Sequence, residues 1–305
     1  MLAATAILVL FLGQYGWAAD HGGPAWSYEG PTGPDAWGHI RMGGNNQCGM
    51  RRQSPIDIEV LTTKFDQSLR PLTLTGHDRI TPNITIVNNG HTIQLTSKWA
   101  QRLSGGPLDR EYQLLQMHFH WGKDSYRGSE HTVNGKRYPI ELHMVHPAAN
   151  VSHDKLNFPG AIAVLGIFFD LTKGTPNVGV EKIAKVISGL EVGGLAELAS
   201  ELSPSMLLPS IGEFFTYSGS LTKPPCSQVV TWIVAREPLK ITETELEAFR
   251  STLSSDKSPM VDNFRPVQPL NNREVRSSFM VGASTRPVIA SFALTLLLLF
   301  VTRLL

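Results

Sequence analysis

The stretch Gln116-Met117-His118-Phe119-His120-Trp121 sets two histidines one residue apart. In an extended strand side chains alternate faces, so His118 and His120 project together while Met117 and Phe119 take the other side. A third histidine, His143, stands in the similarly apolar, strand-like run Glu141-Leu142-His143-Met144-Val145-His146. Three neutral imidazoles with a fourth position left to water make a catalytic zinc site. The alternative is ordinary surface or core histidines, and a lone histidine reads that way. The paired spacing plus a histidine beside Glu141 favours the metal.

Holding three such rings in place requires a sheet, and the chain has the material for one. Short apolar or alternating runs, enriched in β-branched and aromatic residues, recur at 83–87, 91–95, 114–121, 140–146, 161–169, 214–217 and 229–235. The run 161–169 is apolar throughout, which predicts a strand buried on both faces at the centre of the sheet. Periodic apolar positions predict a helix over 180–190, and Thr242-Glu243-Thr244-Glu245 reads as a capping box opening a second helix through 249. The Gly- and Pro-rich segment around Trp26, Tyr28 and Trp37 predicts irregular coil. The fold class is therefore mainly β (α+β), with short peripheral helices.

With 42% hydrophobic and 17% charged residues, 305 residues can bury one large core or two modest ones, and no repeat argues for several domains. A net charge of +1 gives no reason to invoke nucleic acid. Residues 1–19 read as a signal peptide, an apolar run closed by Gly16-Trp17-Ala18-Ala19. At the other end the apolar run 288–301 is shorter than the roughly 20 residues of a spanning helix. The small triplet Gly282-Ala283-Ser284 precedes it, so 284–305 reads as a GPI signal in preference to a single-pass helix, leaving 20–283 as the catalytic domain. Asn83-Ile84-Thr85 and Asn150-Val151-Ser152 are glycosylation acceptors. With the leader they favour secretion and a place on the outer face of the plasma membrane.

The sequence resembles the α-class carbonic anhydrases, most of all their membrane-attached extracellular forms. The matching pieces are the 116–122 stretch, Gly128-Ser129-Glu130-His131-Thr132-Val133, Glu141-Leu142-His143, Ser220-Leu221-Thr222-Lys223-Pro224-Pro225 and Asn88-Asn89-Gly90-His91, in the family's order from about Trp26 to about Phe279. The resemblance implies a large, mostly antiparallel twisted sheet with Zn2+ in a conical cleft, and reversible hydration of carbon dioxide to bicarbonate by a zinc-bound hydroxide. It implies that Gln116, Glu141 and the Asn263 carbonyl orient His118, His143 and His120. Glu141 as a general base is the alternative role. Thr222 and Glu130 match the pair that orients the hydroxide, and Val145, Val164, Leu221, Val230 and Trp232 match the apolar wall for carbon dioxide.

His91 matches the proton shuttle, a role suited to a histidine with a pKa near 7, and Tyr28, Asn89 and Gln94 match the positions that order its water. His131 and His146 resemble structural histidines beside the site. Cys48 and Cys226 match the disulfide of extracellular members, with two buried thiols as the alternative. Lys223 departs from the family, which usually has a small hydroxyl there; its ammonium either reaches into the cleft near bicarbonate or snorkels outward. The resemblance also brings a bicarbonate transporter into consideration as a partner. Two rival readings stand: a catalytically inactive surface binding module, and a cupin-type oxygenase, which would need a carboxylate closer to the paired histidines than Glu130.

Overall fold

The computed structural model describes residues 26–41, 46–198, 201–254 and 256–281. The expected signal peptide, the Gly282-Ala283-Ser284 triplet and the terminal apolar run lie outside the described residues. Among the described residues no helix is long and apolar enough to cross a membrane.

An 11-stranded sheet organises the chain. From one edge its strands run Leu195–Glu197, Thr85–Asn88, Ile93–Thr96, Gln116–Trp121, Ile140–Pro147, Ile162–Leu171, Val230–Ala235, Phe214–Gly219, Arg276–Ser277 and Lys64–Phe65, while Leu239–Ile241 pairs with the end of Ile162–Leu171. Most neighbours are antiparallel. Ile162–Leu171 nevertheless pairs in parallel with Val230–Ala235, which makes the sheet mixed. Its first eight residues are buried, as a continuous apolar run at the sheet centre demands.

The Gln116–Trp121 strand has work on both faces. Behind the histidines, Phe119 and Trp121 pack their rings 5.0 and 5.3 Å from Phe249. Phe249 belongs to helix Glu243–Arg250, which opens with the expected capping box of Thr242 and Glu245. The other helix runs Val178–Ile187, starting two residues before the expected position because Asn177 caps the amides of Gly179 and Val180. The early segment is not wholly irregular. Prolines at the first turns permit two short 3-10 helices, Gly30–Thr32 and Pro34–His39, the second burying Trp37.

Cys48 and Cys226 form a disulfide, with Cα atoms 4.7 Å apart. The bridge packs with Trp26 and Trp37 in a satellite core separate from the main one. It ties the 221–226 loop to the early segment, where Gln47 N also donates to the Pro225 carbonyl at 2.8 Å. Asn83 and Asn150 are both exposed and take positive φ, 54° and 60°, as asparagines in tight turns do.

Candidate metal centre

Cross-strand register brings the three histidines together. In the antiparallel pair, His143 lies opposite His118 and Glu141 opposite His120. One ring nitrogen from each of the three lies within 4.8 Å of the others, and all three residues are buried. His118 Nε2 and His120 Nε2 have no hydrogen-bond partner. Buried polar atoms are rarely left unsatisfied without a purpose, and two orphaned nitrogens converging on one point are what a metal site leaves when the ion is taken away.

The other nitrogen of each ring is held. His118 Nδ1 meets Gln116 Oε1 at 2.9 Å, His120 Nδ1 meets the Asn263 carbonyl at 2.8 Å, and His143 Nε2 meets Glu141 Oε1 at 2.7 Å. Each held N–H faces an acceptor, so the remaining lone pairs, Nε2 of His118 and His120 and Nδ1 of His143, face inward. Burial, reinforced by neighbouring rings and the Lys223 charge, keeps all three below the ordinary histidine pKa and hence neutral. Neutral imidazole is the ligating form.

Glu141 is fully buried. Burial alone would raise its pKa, but the His131 and His143 rings and their hydrogen bonds hold it well below the usual carboxylate range. Its carboxylate also accepts the His131 amide at 2.8 Å. Gly166, paired with His143, leaves the space it needs: a Cβ there would stand 3.3 Å from Glu141 Oε1. Beyond His131, whose Nε2 lies 2.7 Å from the Tyr217 hydroxyl, Tyr217 and Ser54 share a 2.9 Å bond. The Ser220 amide donates to the same Ser54 Oγ at 3.0 Å. A Cβ on Gly219 would fall 2.2 Å from that oxygen, so glycine is needed for this closure. The sequence reading found neither Tyr217 nor Ser54, since nothing local marks residues joined from four separate segments.

Glu130 sits beside the histidines with Oε2 3.5 Å from His120 Nε2 and 3.8 Å from His143 Nδ1. Burial pushes its pKa up to about 8, while the Arg265 amide donating to Oε1 at 2.8 Å and the nearby Thr222 hydroxyl act against it. A dication at the three-histidine point would favour the ionised form.

A cavity of ≈ 150 Å³ opens onto His118 and His143. Thr222, Lys223, Asn89, Gln94, Val145, Val164, Leu221 and Trp232 line it, and Val230 is buried without lining it. Leu115, Leu156 and Ile162 extend the apolar wall beyond the residues picked from sequence.

These features have a counterpart in known proteins. The profile of the eukaryotic-type carbonic anhydrases matches residues 32–279. The chain belongs to the eukaryotic-type carbonic anhydrase family. Carbonic anhydrase 7 of Mus musculus is 39% identical over 264 residues, covering 83% of this chain and 97% of that protein. Carbonic anhydrase 1 of Monodelphis domestica is 35% identical over 262 residues, covering 83% and 98%. Carbonic anhydrases use zinc, and the donor set of His118, His120 and His143 fits it in charge, number and orientation.

His91 is not among the residues that line this cavity. Its ring stacks on Trp26 with centroids 4.0 Å apart and planes 12° from parallel, and Tyr28, whose buried hydroxyl has no partner, stands edge-on at 6.5 Å. Burial, with the Lys223 charge, lowers the His91 pKa to about 4, well under the value near 7 expected from its sequence match. In this stacked position the ring stays neutral through the physiological range.

Proposed function

We propose that this carbonic anhydrase is an active, zinc-dependent catalyst of reversible carbon dioxide hydration at the outer cell surface. The observation that carries the proposal is the convergence of three neutral imidazoles whose other nitrogens are all engaged. Bound zinc supplies a water acidified to a pKa of about 7, carbonic anhydrase itself being the measured example of that value.

The chain's own residues do the rest. Gln116, Asn263 and Glu141 fix the tautomer of each ligand, with Glu141 orienting His143 rather than abstracting protons, since its carboxylate is occupied by three donors. Ionised Glu130 would accept a hydrogen bond from the Thr222 hydroxyl, which leaves the Thr222 oxygen free to accept in turn from the attacking hydroxide and so to aim that oxygen toward the wall of Val145, Val164, Leu221 and Trp232. That wall suits a small apolar substrate. Proton relay by His91, with Asn89 and Gln94 ordering water, requires the ring to leave Trp26 and turn into the cleft.

The inactive-module reading has less support, because His118, His120, His143, Thr222 and Glu130 are all present and assembled. His143→Ala should lose both zinc and hydration activity; full activity without zinc would overturn the proposal. Attachment by a GPI anchor and traffic through the secretory pathway are part of the same proposal, supported by the apolar runs 2–12 and 288–301 and the Gly282-Ala283-Ser284 triplet of the sequence, and glycans on Asn83 and Asn150 would go with that route. Release from intact cells by a phosphatidylinositol-specific phospholipase supports the anchor, whereas retention after complete digestion argues for a spanning helix.

A further inference from the structure

Lys223 is a cleft residue that neither the ligand set nor the apolar wall uses. It adjoins Thr222, lines the same cavity as His118, His143 and Trp232, and is half-buried. Among the described residues its ammonium makes no ion pair and no side-chain hydrogen bond. It is a lone cation facing a site built to hold another cation. Its charge bears on His91, His118, His120 and His143, each of which it disfavours in the protonated form, and a metal ion on those rings would repel it in turn. Glu130 alone pulls the other way, from beyond ion-pair distance.

We propose that Lys223 is a carbamylation site, at which carbon dioxide entering the cleft adds to the side-chain amine and leaves a carbamate lining the cavity. The inference rests on carbon dioxide being the substrate of this cleft. The Nζ lone pair forms the new N–C bond, the electrons of one C–O π bond move onto oxygen, and Nζ releases one proton to water. No oxidant, reductant or third reactant is needed. The reaction requires neutral amine, and burial lowers the Lys223 pKa to about 8. Exposed lysines such as Lys98 and Lys155 lack that enclosure. The modification exchanges a cation repelled by the metal site for an anion attracted to it, so the charge of the cleft follows carbon dioxide supply.

The test uses the zinc-loaded full chain equilibrated with 13C-labelled carbon dioxide and bicarbonate at neutral pH. Carbamates are trapped by alkylation with triethyloxonium and located by peptide mass spectrometry, while hydration is assayed on the same sample. Label at Lys223 about tenfold or more above that at Lys98 and Lys155 is expected, consistent with the larger neutral fraction. Lys223→Arg should lose that label and keep zinc. Label at Lys223 no higher than at the exposed lysines overturns the carbamate. Hydration separates the two claims: an active chain without label sinks this inference alone. A zinc-loaded chain without hydration sinks the catalytic reading, while trapping still decides the carbamate because the gas is supplied directly.

Discussion

Glu141 Oε1 lies 2.7 Å from His143 Nε2 and also 2.7 Å from His131 Nδ1, so one carboxylate oxygen fixes both a metal-facing ring and the ring behind it. Removing its charge while keeping its shape isolates that role. Glu141→Gln should weaken zinc binding roughly 10–100-fold, the usual cost of losing a partner that orients a ligand. Competition against a chelator of known affinity measures it, and unchanged affinity would show that His143 needs no such partner.

His91 and Trp26 form the second relationship to test. Trp26→Ala removes the stacked ring and much of the burial that depresses the His91 pKa, so the pKa should rise from about 4 toward the ordinary histidine value. An NMR titration of the His91 ring reads this directly. A pKa that stays put would place the cause elsewhere, with Lys223 as the next candidate.

His77 and His146 are a buried pair apart from the metal centre, with Nε2 atoms 3.5 Å apart. Burial lowers their pKa values to about 4 and about 3; His77 lowers His146 further, while hydrogen bonds to the Thr75 backbone, then Asp78, oppose for His77 and those to the Met144 and Ala163 backbone oppose for His146. Between pH 6.5 and about 4 the unfolded chain binds more protons than the folded one. The stability tied to their neutral forms is therefore complete above pH 6.5 and is lost as pH falls through that window, on the order of 3 kcal/mol for His77. His77→Phe should flatten the slope of unfolding free energy against pH in that range. An unaltered slope would assign acid sensitivity to other groups.

The Cys48–Cys226 bridge closes a separation of 178 residues. In the chain-entropy model such a closure contributes up to about 5 kcal/mol. The double variant Cys48→Ser, Cys226→Ser should lose several kcal/mol in denaturant unfolding. It should also loosen the 221–226 loop, read as faster amide exchange at position 226, where the native Cys226 amide bonds to the Lys223 carbonyl. A loss below about 1 kcal/mol would mean that the satellite aromatic core holds the loop without the bridge.

What the sequence made legible was local in origin. Period-two alternation put His118 and His120 on one face before any fold was known, and the unbroken apolar run ending in Phe168-Phe169 marked the sheet centre. The capping box at Thr242 is likewise a short-range pattern. The parallel pairing of Ile162–Leu171 with Val230–Ala235 was not legible, because both strands have the composition an antiparallel pair would have. Nor was the chain of contacts from Glu141 through His131 and Tyr217 to Ser54, which exists only once four segments meet. The stacking of His91 on Trp26 escaped for the same reason: a motif match names the residue but not the ring that covers it.

Stopped-flow carbon dioxide hydration by the purified full chain, with zinc measured on the same sample before and after chelation, shows whether the three-histidine centre is a working catalyst. About one zinc per chain is expected, with a fast rate that disappears with the metal and returns on adding zinc back. Stoichiometric zinc with no rate above buffer would contradict it and leave a binding module that keeps the metal without the chemistry.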